Sequence, residues 1–306
     1  MQCSEQVAPP PEHDLAFKRN PTTPVNGKSV PLNGERVHFK GEPPPLAAAT
    51  FAARAVAAGP DKMQSARFEY KYIITELKAR HVRDIVASYL PPDRYTNGRE
   101  GVGYYVHSLY LDSIGHKTYW DTENGNKNRF KLRIRFYDDQ PDSPCFLEVK
   151  RRTDERMAKT RAGVTKASAE RLCRTGVLPT ERDLIKVTPS NLAGLENFCN
   201  LCVLLDARPA AYTSYLREGY EPKFGNYERV TLDRDIRGAP FNGNLSIRGR
   251  ESWKLAEVGG VVLELKFTDI QPPWMCTLAE MCQLSRSALP KYVRCLQQVN
   301  RRLSSS

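Results

Sequence analysis

The segment Lys131-Leu132-Arg133-Ile134-Arg135-Phe136 alternates cation and apolar residue. Side chains two apart on a β-strand share a face, so this stretch would carry its cations on one side and its apolar groups on the other. The same spacing groups Arg67, Glu69 and Lys71, then Glu148, Lys150 and Arg152, then Lys159 and Arg161. It also groups Tyr215 with Arg217, Arg229 with Asp233, and Glu264 with Lys266. One such strand is ordinarily the solvated face of a sheet. Jointly the set differs, because Lys71, Arg133, Arg135, Lys150, Lys159, Arg161, Arg217, Arg229 and Lys266 outnumber Glu69, Glu148, Glu264 and Asp233. Like charges facing each other on neighbouring strands repel unless an anion lies between them.

Phosphate suits this set. Arg offers a planar fork for two oxygens and Lys a compact charge, and several strands are needed to surround a chain of phosphates. A glutamate beside phosphate oxygens is repelled unless a divalent cation lies between, and Mg²⁺ or Mn²⁺ is commonly held by one or two carboxylates plus phosphate. Glu264, Glu148 and Glu69 are the candidate metal ligands, and an ion pair with a neighbouring Lys or Arg is the alternative for each.

Other chemistries find little support. The chain has no Walker-type loop, GxGxxG, GxSxG or HExxH motif, and His81, His107 and His116 are scattered as ordinary core or surface histidines are. Cys199 and Cys202 form a lone CxxC without a second ligand pair, which reads as buried thiols. Nucleic acid is not the expected partner, since the cations alternate along strands instead of lining one helix or an aromatic-studded sheet.

The elements that must carry these residues follow from periodicity. Strands fit 67–75, 104–112, 129–138, 145–152, 156–164, 210–219, 227–235 and 260–268. Helices fit 76–90, capped by Thr75 and stopped by Pro91, then 166–174, 190–205, 274–285 and 290–302. Many closely spaced strands with helices inserted late indicate an antiparallel barrel or strongly curved sheet. Residues 1–65 hold ten of the 22 prolines and an Ala-rich run, with seven basic and six acidic residues, and read as a disordered tail. Nearly all of the net charge of +11 therefore belongs to residues 66–303, the expected folded domain. No apolar run approaches the roughly 18 residues of a membrane span and the N-terminus lacks a signal-peptide pattern, so a cytoplasmic protein with reduced thiols is expected.

These segments together resemble the polyphosphate polymerase domain of the vacuolar transporter chaperone family, a branch of the triphosphate tunnel (CYTH-like) metalloenzymes. The resemblance covers roughly 67–300. It rests on Arg67-Phe-Glu69-Tyr-Lys71-Tyr72, Ser108-Leu-Tyr110-Leu-Asp112, Lys131-Leu-Arg133-Ile-Arg135 and Phe146-Leu-Glu148-Val-Lys150. Further along it includes Ser214-Tyr215-Leu-Arg217, Arg229-Val-Thr-Leu-Asp233, Leu263-Glu264-Leu-Lys266 and Lys291-Tyr292. It implies an α+β fold, an eight-stranded antiparallel β tunnel with helices packed outside.

It also implies a polymerase that transfers the γ-phosphate of ATP to inorganic polyphosphate with Mn²⁺ or Mg²⁺. Lys71, Arg133, Arg135, Lys150, Arg217, Arg229, Lys266 and Lys291 would hold the phosphates, Lys159 and Arg161 would stand at a tunnel mouth, and Glu264 would carry the metal. The hydrolytic branch begins with Glu-x-Glu-x-Lys, whereas Arg67 replaces the first glutamate here, which favours the polymerase. Pro290 stands where the resemblance leads one to expect a serine. The alternatives are a triphosphatase and a non-catalytic polyphosphate-binding module.

Overall fold

The computed structural model describes residues 67–96, 103–224 and 227–300, and the expected tail over 1–65 lies outside them. The strands are β1 (Arg67–Ile74), β2 (Tyr104–Asp112), β3 (Arg129–Phe136), β4 (Cys145–Thr153), β5 (Arg156–Val164), β6 (Arg208–Tyr220), β7 (Glu228–Ala239), β8 (Lys254–Leu255) and β9 (Val261–Thr268). Eight of them form one antiparallel sheet in the order β1-β9-β7-β6-β2-β3-β4-β5, and the two-residue β8 pairs onto β7. The sheet curls into a half-barrel. Its edges β1 and β5 are brought near each other, and across this seam Lys150 on β4 reaches Glu69 on β1 at 2.8 Å.

Alternation dictates what each face buries. The outer faces of β2 to β5 carry Leu109, Leu111, Leu132, Ile134, Leu147, Val149, Ala162 and Val164. These pack under α3 (Lys166–Thr175) and α4 (Pro189–Leu205), which contribute Leu172, Leu195, Phe198 and Cys202. The outer faces of β1, β7 and β9 pack under α1 (Glu76–Ala87) and α5 (Pro273–Met281), through Tyr72, Leu232, Leu263 and Leu265 against Val82, Val86, Met275 and Leu278. Near one end of the curl, α2 (Lys117–Glu123) and α6 (Lys291–Val299) bury Tyr119, Tyr292, Val293 and Leu296 against Tyr110 and Ala211. No helix among the described residues is long and apolar enough to cross a membrane.

Local signals place most boundaries. Thr75, Thr165 and Thr188 cap α1, α3 and α4 by accepting the backbone N–H three residues on, and Gly176, left-handed at φ 73°, ends α3. The helix expected over 274–285 stops at Met281, since Gln283 adopts a left-handed φ of 47°. The helix expected over 76–90 ends at Ala87, and its last residues form a turn before Pro91. Two elements lie outside the expectation. Short α2 starts after a left-handed His116 that gives no side-chain cap, and β8 is too brief to show a period.

Candidate functional site

Strand register turns the alternating cations into one continuous lining. Across β3 and β4, Arg133 stands opposite Glu148 and Lys131 opposite Lys150, while Glu148 in turn faces Arg161 on β5 and Lys150 faces Lys159. On the other side of the curl, Arg217 faces Asp233, Arg229 faces Lys266, and Lys71 faces Glu264. The sequence-predicted strand residues therefore share the concave face, and Lys291 joins them from the first turn of α6.

The carboxylates sit inside clusters of cations. Glu148, 1% exposed, receives Arg133 through Nε at 2.7 Å and Nη2 at 2.6 Å, with Lys159 and Arg161 at 3.5 Å and Arg135 Nε at 3.7 Å. Burial opposes its charge, but Arg133 and Arg135 outweigh burial and hold its carboxyl well below the usual range. Glu264 meets Lys266 at 2.5 Å, Lys291 at 2.7 Å and Arg217 at 3.6 Å. Arg217 also grips Asp233 bidentately, with both contacts at 2.7 Å. Glu69 pairs with Lys71 at 2.5 Å and Lys150 at 2.8 Å.

The crowding of like charges expected from the sequence is thus partly relieved by interleaved carboxylates. Arg133 in particular is firmly paired. What remains unsatisfied is specific: the buried Nε groups of Arg135, Arg161 and Arg229 make no hydrogen bond. Burial first, then Lys71, Lys150, Arg129 and Arg133, hold the Lys131 pKa well below its usual value. Lys266 is pushed down to about 7 and Lys159 to about 8, both chiefly by burial. Buried donors and cations aimed at a shared space call for an anion.

Register adds partners to the arginines: Tyr215 and Tyr110, both within motifs noted in the sequence, and Asp93, which the sequence reading missed. Tyr215 Oη accepts from Arg135 Nη2 at 3.3 Å and Tyr110 Oη accepts from Arg133 Nη1 at 3.2 Å. Although burial opposes ionisation of Tyr215, Arg217 and Arg135 outweigh it and lower its pKa. Asp93, following Pro91-Pro92, accepts from Arg229 Nη2 at 2.9 Å and from Tyr104 Oη at 3.0 Å. It can reach that seat because residue 219 is glycine, where a Cβ would lie 2.3 Å from Asp93 Oδ2.

Lys159 and Arg161 lie on the edge strand β5, with side chains 49% and 36% exposed. The three candidate metal ligands are ion-paired, and the described residues contain no cluster of three or more His, Cys, Asp or Glu that could hold a metal alone. Glu264 nevertheless lies near enough to Glu69 to oppose its ionisation, whereas Glu148 is surrounded by cations.

His107 is a core histidine, tilted against Phe136, with its pKa lowered to about 4 mainly by burial. Cys199 and Cys202 are free thiols on α4, and burial raises the Cys199 thiol to about 11.

Comparison with known proteins gives three kinds of result. Solved structures with related topology include one provisionally assigned as an adenylate cyclase from Bacillus halodurans, 11% identical with a TM-score of 0.41, covering 74% of this chain and 94% of its own. PH1819 protein from Pyrococcus horikoshii OT3 is 9% identical with a TM-score of 0.37, covering 78% and 99%. The Mimivirus capping enzyme triphosphatase is 10% identical with a TM-score of 0.33, covering 71% and 86%. No curated protein gives a significant match. The sequence profile of the VTC domain matches residues 66–300, nearly the whole curled sheet and its helices. By that match the chain belongs to the VTC domain family.

Proposed function

We propose that this chain is a polyphosphate polymerase, which transfers the γ-phosphoryl group of ATP to the end of an inorganic polyphosphate chain held in the concave lumen. The observation that carries the reading is the set of buried guanidinium Nε groups on Arg135, Arg161 and Arg229 that make no hydrogen bond, facing a lining in which cations exceed carboxylates. A terminal oxygen of the chain attacks the γ-phosphorus, the bond to the β–γ bridging oxygen breaks, and ADP leaves. Such a transfer needs positioning and charge stabilisation more than a protein nucleophile.

Arg135 presents its guanidinium to the equatorial oxygens, Arg133 and Arg217 add charge while held by Glu148 and Asp233, and Lys71, Lys150, Lys266 and Lys291 supply point charges along the chain. A divalent ion fits this donor set only when shared with phosphate, because one or two carboxylates plus substrate oxygens make a Mg²⁺ or Mn²⁺ site. Glu264, with Glu69 beside it, would hold that ion, and Glu148 remains the anchor of its arginines. When bound, the ion supplies neutralisation of phosphate charge. Residues 66–303 form the catalytic domain of this proposal, and a cytoplasmic setting, where ATP is available, goes with it.

Incubating purified protein with ATP and Mn²⁺, followed by size separation of the products, tests the proposal. Long phosphate chains are the expected product. Free phosphate alone would make the chain a triphosphatase, and unchanged ATP would make it a binding module.

A further inference from the structure

The two ends of the lumen differ in chemistry. Toward the start of β3 the lining is dominated by cations, with Lys131 opposite Lys150 and Arg129 opposite Arg152, and Glu69 pairing with Lys150. Toward the end of β3 it becomes aromatic. There Arg161 lies 3.4 Å over the ring of Phe146, Phe146 meets Tyr137 edge-on at 6.2 Å, and Tyr137 lies nearly parallel to Tyr95 at 6.4 Å and 11°. Tyr95 continues to Tyr104 at 5.4 Å, and Tyr104 Oη accepts from Arg229 Nη2 at 3.3 Å. Four rings thus form an arc whose ends are two guanidiniums of the phosphate-facing set.

Packing alone does not account for the arc. Tyr95 is 46% exposed, and Tyr137 and Phe146 are only half-buried, although aromatic side chains serving a core are normally covered. Phe146 stands opposite Arg135 in the β3–β4 register and Tyr104 opposite Arg217 in the β2–β6 register, so the rings are direct neighbours of the cations assigned to phosphate. Exposed rings beside a cationic track are the arrangement that holds a base by its π-face and a phosphate by its charge.

We propose that this arc docks the nucleobase of the phosphate donor, a purine stacking on Tyr137 and Tyr95 with its triphosphate running inward past Arg135 and Arg217. Arg94 already covers part of the Tyr95 ring at 4.6 Å, so Tyr137 presents the more available face. The arc gives the lumen a direction: the nucleotide enters at the aromatic end, and the phosphate chain extends toward Lys131, Arg129 and Arg152. This inference rests on the lumen being a triphosphate site, and it adds that the base, not only the phosphates, is recognised.

The test is calorimetric binding of ATP and of tripolyphosphate to wild type, Tyr137→Ala and Tyr137→Phe. Tyr137→Ala is expected to weaken ATP binding about ten-fold and leave tripolyphosphate unchanged, with Tyr137→Phe restoring ATP binding because stacking survives loss of the hydroxyl. ATP binding unaffected by Tyr137→Ala would overturn the docking site. Equal loss of both ligands would also overturn it, by showing that the ring supports the lumen itself. Wild type binding neither ligand would remove the underlying triphosphate reading and the base site together, whereas tripolyphosphate binding with unaltered ATP binding in the variant removes the base site alone.

Discussion

Lys291 Nζ lies 2.7 Å from Asp233 Oδ2 and 2.7 Å from Glu264 Oε1, so a single ammonium from the first turn of a helix joins buried carboxylates on two neighbouring strands. Burial opposes its charge, yet Asp233 and Glu264 outweigh burial and keep Lys291 protonated above the usual lysine range. The residue therefore has two duties, fixing α6 to the sheet and presenting charge to the lumen.

Replacing Lys291 with Ala leaves both carboxylates short of a partner, and the expected loss of unfolding free energy is about 3 kcal/mol. Urea unfolding of wild type and Lys291→Ala measures it. An unchanged midpoint would show that Arg217 and Lys266 alone satisfy the two carboxylates.

Glu264→Gln removes the charge that a shared divalent ion needs while leaving the cationic lining in place. Metal-dependent turnover is expected to fall by about a hundred-fold or more, with tripolyphosphate affinity changed far less. Unfolding curves compared in parallel separate this from damage to the Lys266 and Lys291 contacts. Equal loss of turnover and binding would count against a metal role for Glu264.

Lys131 sets a pH dependence of the ligand-free protein. Its folded pKa is lowered, by burial first and then by Lys71, Lys150, Arg129 and Arg133, so on raising pH the native state gives up this proton before the unfolded chain does. Between the folded value and the unfolded value of about 10.4, the unfolded chain binds more protons, and stability rises with pH across that window. The melting temperature without ligand should climb as pH rises toward about 10.4, and Lys131→Met should be more stable below that window with a flatter climb. Saturating tripolyphosphate, which favours the protonated lysine, should also flatten it. A Lys131→Met variant with the wild-type slope would assign the effect to other lysines.

The strands and the inward residues were legible because binary alternation leaves no choice of face: once Leu132 and Ile134 face the core, Lys131, Arg133 and Arg135 must face the lumen. Lys291 was legible only through the family resemblance, since nothing in the spacing of α6 shows that its first residue reaches across to β7 and β9. Asp93, Tyr104 and Tyr137 were not legible. They meet their partners through strand register and a loop seat made possible by Gly219, and a single sequence carries no signal of which distant strands become neighbours. The same limit applies to the pairing of charges. Spacing shows that Glu148 shares a face with cations, but only the register decides that Arg133 closes two nitrogens on Glu148 Oε2 while Arg135 is left 3.7 Å away.

That difference between two arginines on one strand separates cations that support the fold from cations reserved for ligand. Arg133→Ala breaks a buried pair in which two guanidinium nitrogens meet Glu148 Oε2, and it should lower the ligand-free melting temperature. Arg135 has a buried Nε without a hydrogen bond, and its contacts to Glu148 at 3.7 Å and Tyr215 at 3.3 Å are looser than those of Arg133, so Arg135→Ala should change the stability of the ligand-free protein little. The most direct measurement is the melting temperature of wild type and Arg135→Ala, each without ligand and with saturating tripolyphosphate. The lumen account predicts closely similar ligand-free values, with a large rise on tripolyphosphate in wild type that is mostly lost in the variant. A variant markedly destabilised without ligand, yet stabilised by tripolyphosphate as much as wild type, would contradict it.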